Sequence, residues 1–501
     1  MRTSCDDPGF DLLIGTSITD EVENHPITFD KPLPGWLKGS LIRNGPARYE
    51  MGNRRFLNLF DAFGKLNKWT FPGNGSAFFS AKFIGSHFYN DSVSEKDIAD
   101  YMIFDTTLPP KSEEQVLLAL ERGMDNMNIN VYNFTDGCVV LSDTWKLYKV
   151  DCETMATISA IKPSIRDDQI GLGYISVMSS AHPVPEVGTS NYFIFLTSMS
   201  LIPGIKHKIS ILRISSVDKR EVVGTFEVEE APYMHSFSAT KNYIILFAHP
   251  YHIDILKMME TGTPKDSIQW HPDLPGMIYV MEIKTGKVFT LETETLFSMH
   301  HINAFETNDS QPIINVDVAA YPDDSLVDNF EVSIILNKAK RDSIQWQPKL
   351  VRFAINLLNL DVKVMRFPFG PNNAIASHLE IPAINEAYRS RPYCYAYGLV
   401  FRSDNKTFAN FTFVKKDLCD SKCDKSWSIP GHYPMEGWFV PDPSGSAEDD
   451  GIIMVPVVNG VDRKSYLAFL DARNLTLINK SNTPFIVPFH FHGRFFPNLS
   501  N

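Results

Sequence analysis

Short apolar runs, many alternating with polar residues at a period of two, recur along most of this chain and are separated by turn-forming residues. WKLYKVD (145–151), NYFIFLTS (191–198), KISILRISS (208–216) and NYIILFAHP (242–250) have this form, which suits strands whose side chains alternate between two faces. MIYVMEIKTGKVFTLE (277–292) reads as a hairpin, with Gly286 where a turn demands positive φ. The series continues through 350–356, 362–369, 393–401, 408–416, 452–458 and 466–480. One segment reads differently: SEEQVLLALERGM (112–124) has an acidic first turn and helical spacing. Many strands at short intervals without βαβ alternation predict an all-β sandwich, barrel or propeller, and so long a series favours a propeller. No strict blade repeat is visible. No Gly/Ser- or Pro-rich linker divides residues 1–501, so one domain is expected.

Composition narrows the function. The chain is 44% hydrophobic and 21% charged with a net charge of −12. Lys and Arg are scattered, whereas a nucleic-acid surface needs a basic stripe, so no nucleic-acid partner is expected. Six cysteines without a CxxC pair (Cys5, Cys138, Cys152, Cys394, Cys419, Cys423) suggest a reduced, cytoplasmic protein. Asn-x-Ser/Thr sequons at Asn74, Asn90, Asn133, Asn308, Asn405, Asn410, Asn474, Asn479 and Asn498 are read as unused, because MRTSCDDPGFDLLIG lacks an apolar leader. No apolar run approaches the ~18 residues of a spanning helix.

The candidate chemistry lies in histidine. Of fourteen, four stand out by their surroundings: His182 in SSAHPVP, His235 in APYMHSFSATKNYIILF, His300 in HHINAFE and His492 in FHFHGRF. Each is expected at a strand end or turn, and all are far apart in sequence. In a propeller, inner strands of separate blades converge on the axis, so such residues can meet. Four neutral imidazoles suit Fe, Cu, Zn or Ni, and ligating imidazoles usually donate their second N–H to a carboxylate or carbonyl. Glu380 in SHLEIPAIN and Glu436 in HYPMEGWFVP, each alone among apolar neighbours, are candidate partners. In VPFHFHGRF, His490 and His492 would face the same side of a strand.

At these residues the chain resembles the carotenoid cleavage oxygenase family, and specifically its animal branch of β-carotene dioxygenases, carotenoid isomerooxygenases and retinoid isomerohydrolases. The likeness rests on motifs in order over nearly the whole length. They are GSLIRNGPARYEMG (39–52), NLFDAFGKLNKWTF (58–71), DNMNINVY (125–132), SAHP (180–183), MHSFSATKNYIILF (234–247), HHINAFE (300–306), RPYCYAYGL (391–399), HYPMEGWFVPDP (432–443), AEDDGIIM (447–454) and FHG (491–493). The resemblance implies a seven-bladed β-propeller with a helical and loop dome over an axial Fe(II) held by His182, His235, His300 and His492. It implies carboxylate partners at Glu380, Glu436 and Asp143, the first two against His300 and His492. Asp143 stands where relatives carry glutamate, so its reach to His235 is expected to need a water or a backbone shift. Ser142 stands where relatives often have threonine near the open metal position. His490 departs from the family pattern and is expected behind the ligands or in a pocket wall, with His301 structural.

The same resemblance implies dioxygen-dependent cleavage of a carotenoid or apocarotenoid C=C bond to aldehydes such as retinal. Phe88, Tyr89, Tyr233, Tyr395, Trp438 and Phe489 are candidate tunnel residues. The segments 112–124, 200–209 and 254–270 are candidates for peripheral contact with a membrane. Two alternatives stand beside it. A retinoid isomerohydrolase is disfavoured because TTLPPKSEEQ (106–115) lacks the cysteine of the isomerohydrolase loop. A carotenoid-binding propeller without activity is suggested by Asp143.

Overall fold

A computed structural model describes residues 7–15, 19–165, 171, 173–307, 313–345, 348–367, 375, 378–404, 406–497 and 499. Seven of its sheets contain four or five strands, and two smaller ones contain two and three. The strands expected from the alternating pattern are present: Tyr192–Ser200, His207–Ile214, Tyr243–Ala248, Lys349–Asn356 and Gly451–Asn459 are examples. The expected hairpin forms between Gly276–Glu282 and Val288–Thr293, with Gly286 at φ 70°. Central strands such as Tyr192–Ser200 are covered on both faces and buried throughout most of their length. Edge strands such as Arg220–Val228 alternate between buried and exposed, as one solvated face requires.

The larger sheets follow one another along the chain, each built mainly from antiparallel strands close in sequence, while excursions such as Tyr251–Ile253 with Ile268–Trp270 pair in small sheets of their own. The last strand, His492–Phe496, leaves its neighbours in sequence and pairs with Lys38–Arg48, in the first sheet. The edge strands of neighbouring sheets touch: Val184–Pro185 meets Ser238–Ala239, which meets Phe297–Glu306, which meets Glu380–Ala383. These edges carry the residues singled out in the sequence.

Helices are few. Glu113–Arg122 begins at Ser112, whose hydroxyl accepts from Gln115 N–H while Gln115 reaches back to the Ser112 N–H, a reciprocal cap. Segment 254–270 forms two short helices, Ile255–Thr261 and Pro264–Ser267, and a strand, Ile268–Trp270. No helix among the described residues is long and apolar enough to span a membrane.

The expectation of reduced cysteines is overturned. Cys138 pairs with Cys152 and Cys394 with Cys419, with Cα atoms 5.6 and 5.2 Å apart, within disulfide reach. Cys138 lies inside Gly137–Leu141, paired with Val150 two residues before Cys152, and Cys394 and Cys419 flank the paired strands Tyr395–Val400 and Thr412–Asp417, so proximity came from sheet register and not from a spaced motif. Cys423 is free and exposed. Asn74, Asn90, Asn133 and Asn474 are exposed and Asn479 is buried. Asn308, Asn405, Asn498 and Cys5 lie outside the described residues.

Candidate metal centre

His182, His235, His300 and His492 come together, each offering one ring nitrogen, with all four atoms within 4.8 Å of one another. They arrive from different elements. His182 lies in the loop between Tyr174–Ser179 and Val184–Pro185, and His235 lies just before Ser238–Ala239. His492 opens the last strand, whereas His300 sits inside Phe297–Glu306 at a break in strand register rather than at a strand end. Such breaks re-aim side chains.

Two serines stitch the ligand-bearing segments together. Ser180 Oγ donates to the His235 carbonyl (2.7 Å) and accepts from His182 N–H (2.9 Å). Ser236 Oγ donates to the Met299 carbonyl (2.6 Å) and accepts from His301 N–H (2.9 Å). Both serines adjoin or flank a histidine in the sequence, but their bridging role depends on contacts across sheets. Gly493 is needed because any Cβ there would strike the Ile42 carbonyl oxygen across the strand pair.

Three of the four imidazoles are held from behind. His235 Nδ1 lies 2.6 Å from Asp143, His300 Nδ1 2.5 Å from Glu380, and His492 Nδ1 2.7 Å from Glu436. Asp143 therefore reaches His235 directly, with no water between them. Its other oxygen accepts from Ala181 N–H at 2.8 Å, which ties the loop beside His182 to the same carboxylate. Glu380 also accepts from the Tyr321 hydroxyl (2.8 Å). Glu436 is paired with the fully buried Arg43 and accepts from Gly493 N–H at 3.2 Å. Arg43 and Tyr321 were not singled out beforehand; their only signal was placement in or near motif segments.

These carboxylates determine the electrostatics. Burial pushes Glu436 up, but Arg43 and His492 outweigh it and hold the carboxyl below its ordinary range. Glu380 is likewise held low by His300 against the effect of burial. Burial lowers His492 to about 4 and carries His182 well below the usual imidazole range. Beside Glu380, His300 is instead held above its ordinary range against the effect of burial. In its neutral form an imidazole that donates Nδ1–H to a carboxylate leaves a lone pair on Nε2. His300 and His492 present such Nε2 atoms to one another at 3.2 Å, and His182 and His235 bring theirs to 2.9 Å. Lone pairs gathered this closely, with negative charge behind them, are the donor set of a cation, so the residues fit a divalent metal.

The cluster opens onto a cavity of about 860 Å³, within the range of small-molecule sites. Its lining is overwhelmingly apolar and includes His235, His300 and His492, with Tyr233 and Phe489 from the expected tunnel set. Two aromatic clusters missed in the sequence line it as well: Phe10, Phe401, Phe408 and Phe411, and Phe60, Phe104, Phe330 and Phe491. Asp61, of the FDAFG segment, is buried in the wall and accepts from Phe104 and Asp105 N–H groups; burial raises its carboxyl to about 7. Exposed Ile175 and Met259 also line the cavity and mark where it meets the surface.

The remaining sequence candidates lie elsewhere. Phe88 and Tyr89 pack in aromatic contacts with Phe63 and, like Ser142 and Tyr395, are absent from the cavity wall. Trp438 faces a second, smaller cavity. His301 turns its Nδ1 to Ser238 Oγ at 2.8 Å. His490 does not share a strand face with His492, because the strand begins only at His492. It is fully buried with Nε2 2.8 Å from Asn67 Nδ2 and its Cα tight against Gly45, not in the wall of the large cavity.

Fold and site together define a β protein with a four-histidine cluster fit to hold a metal beside an apolar chamber. Residues 15–497 match the family model described as retinal pigment epithelial membrane protein, and the chain belongs to this family. It is 26% identical to the carotenoid isomerooxygenase of Galleria mellonella, over 96% of this chain and 94% of that one. It is 24% identical to human β,β-carotene 15,15'-dioxygenase, over 98% and 95%. Among solved structures, a variant of Synechocystis apocarotenoid oxygenase superposes with a TM-score of 0.82 at 22% identity, covering 99% and 100% of the two chains. The cobalt-substituted form of that protein gives 0.81 at 23% identity, over 97% and 98%.

Proposed function

We propose that this chain is an Fe(II)-dependent dioxygenase that cleaves a C=C bond of a carotenoid or apocarotenoid. The observation that carries this reading is the carboxylate-backed histidine cluster opening directly onto the large apolar cavity. In this reading the seven larger sheets are the blades of one propeller domain, and the loops and helices that cover the cavity form its dome. His182, His235, His300 and His492 hold the metal, while Asp143, Glu380 and Glu436 keep three of the rings in the ligating tautomer. Bound Fe(II) supplies the redox chemistry by which dioxygen reacts with a double bond, one oxygen passing to each carbonyl fragment. The aromatic walls hold an extended polyene beside the cluster and exclude water. No side chain need act as general acid or base.

An insoluble polyene must enter from lipid. The cavity mouth at Ile175 and Met259 is flanked by exposed Leu117 and Leu256 (68% and 60% exposed), and Ile202 and Ile205 of the 200–209 segment are also exposed. Peripheral contact of this surface with a bilayer follows. Incubating the iron-loaded protein with β-carotene, with an apocarotenal and with a retinyl ester tests the proposal. Aldehyde products that require oxygen support it; alcohol from the ester alone, or binding without turnover, overturns it.

A further inference from the structure

A second cavity, of about 90 Å³, meets the histidine cluster on a different side. It touches His182, His300 and His492 at its inner end, and its polar wall includes Ser236, Tyr132, Glu386, Arg389 and Arg494, with Asn130, His301 and Glu436. His182 belongs to this lining and not to that of the apolar cavity. Glu386 and Arg389 form a forked ion pair, Nε–Oε2 3.2 Å and Nη2–Oε1 2.5 Å, and are 32% and 25% exposed. Behind them, Arg494 donates to the Tyr132 hydroxyl at 3.0 Å, with its guanidinium 4.1 Å above the Tyr132 ring and 5.4 Å from that of Trp438.

The two approaches suit different passengers. A hydrated divalent cation that entered the apolar cavity would pass along a wall that is mostly hydrocarbon, with few oxygen or nitrogen atoms to replace lost water before the cluster itself, which is costly. The polar side offers a carboxylate at the surface, a hydroxyl within, and imidazole lone pairs at the end. Resting on the metal-centre reading above, we infer that this small cavity is the loading port for the metal. Glu386 is its first acceptor, Arg389 is the counter-charge that must swing aside, and Arg494 is held off the path by the Tyr132 hydroxyl and ring. Polyene and metal therefore use separate entrances.

Chelator-stripped protein mixed with Co(II) in a stopped-flow cell, followed by the visible absorption of bound cobalt, tests the port. Glu386→Gln leaves Arg389 unpaired in the path and is expected to slow uptake about ten-fold, whereas Arg389→Ala exposes the carboxylate and speeds it. Both variants should still reach one cobalt per chain with unchanged bands, which shows that they are folded. Met259→Trp, which narrows the apolar mouth, should leave the rate unaltered. One cobalt per chain at rates indifferent to Glu386 and Arg389, or slowed instead by Met259→Trp, overturns the port alone. Wild-type protein that binds no cobalt overturns the metal-centre reading and the port with it.

Discussion

At the scale of single residues, position relative to the cluster decides consequence. His492→Ala removes one of the four proposed ligands and strands Glu436, so metal retention and cleavage should both be lost. His490→Ala removes a buried ring bonded to Asn67; it should lower stability by about 2 kcal/mol yet leave the metal content near one per chain. Metal analysis of the two purified variants checks this, and iron loss in the His490 variant with retention in the His492 variant would reverse the assignment. A second residue-scale expectation concerns acid. His249 is buried, and burial lowers its imidazole from 6.5 to about 4. The folded state thus binds this proton more weakly than the unfolded chain, so its contribution is complete above pH 6.5 and is lost as pH falls toward 4, by up to about 3 kcal/mol. Melting temperatures between pH 7 and 5 should fall less steeply for His249→Gln than for the parent.

At the scale of elements, the disulfides and the mouth helices make separate claims. The Cys138–Cys152 and Cys394–Cys419 bonds close loops of 14 and 25 residues, each expected to contribute about 3 kcal/mol. Thiol titration of the denatured, unreduced protein should find no more than two of the six cysteines free. Cys394→Ser with Cys419→Ser should lower the melting temperature without altering metal content; six titratable thiols would refute the pairing. On the mouth, Leu117 is exposed on the capped helix Glu113–Arg122. Leu117→Asp should weaken sedimentation with phospholipid vesicles several-fold while β-carotene cleavage in detergent stays near the parental rate.

At the scale of the whole molecule, the last strand both completes the first sheet and delivers His492. Truncation after Phe491 should therefore abolish metal binding and also broaden and lower the thermal transition, because it removes a ligand and the join between the ends of the chain. Circular dichroism melts beside metal analysis read the two effects separately. Loss of metal with an unchanged melt would show that the strand carries only the ligand.

Much of this molecule was legible one-dimensionally. Period-two alternation marked its strands, because each strand carries its own burial pattern, and the acidic first turn of 112–124 marked the helix Glu113–Arg122. Motifs in order pointed to the family and to four histidines, because a ligand must be the right residue type whatever surrounds it. What the sequence could not determine are relations between distant segments. Sheet register brings Cys394 to Cys419, and packing between separate segments sets Asp143 2.6 Å from His235 despite its shorter side chain. Arg43 and Tyr321 back the carboxylates, and aromatic clusters from six parts of the chain wall the cavity. His490 shows the limit most clearly: strand alternation would have aimed it with His492, but the strand starts two residues later, and packing against Gly45 and Asn67 places it elsewhere. Local pattern determines which elements form and which residue types can bind; only tertiary packing decides which side chains meet, since those distances depend on every sheet between them.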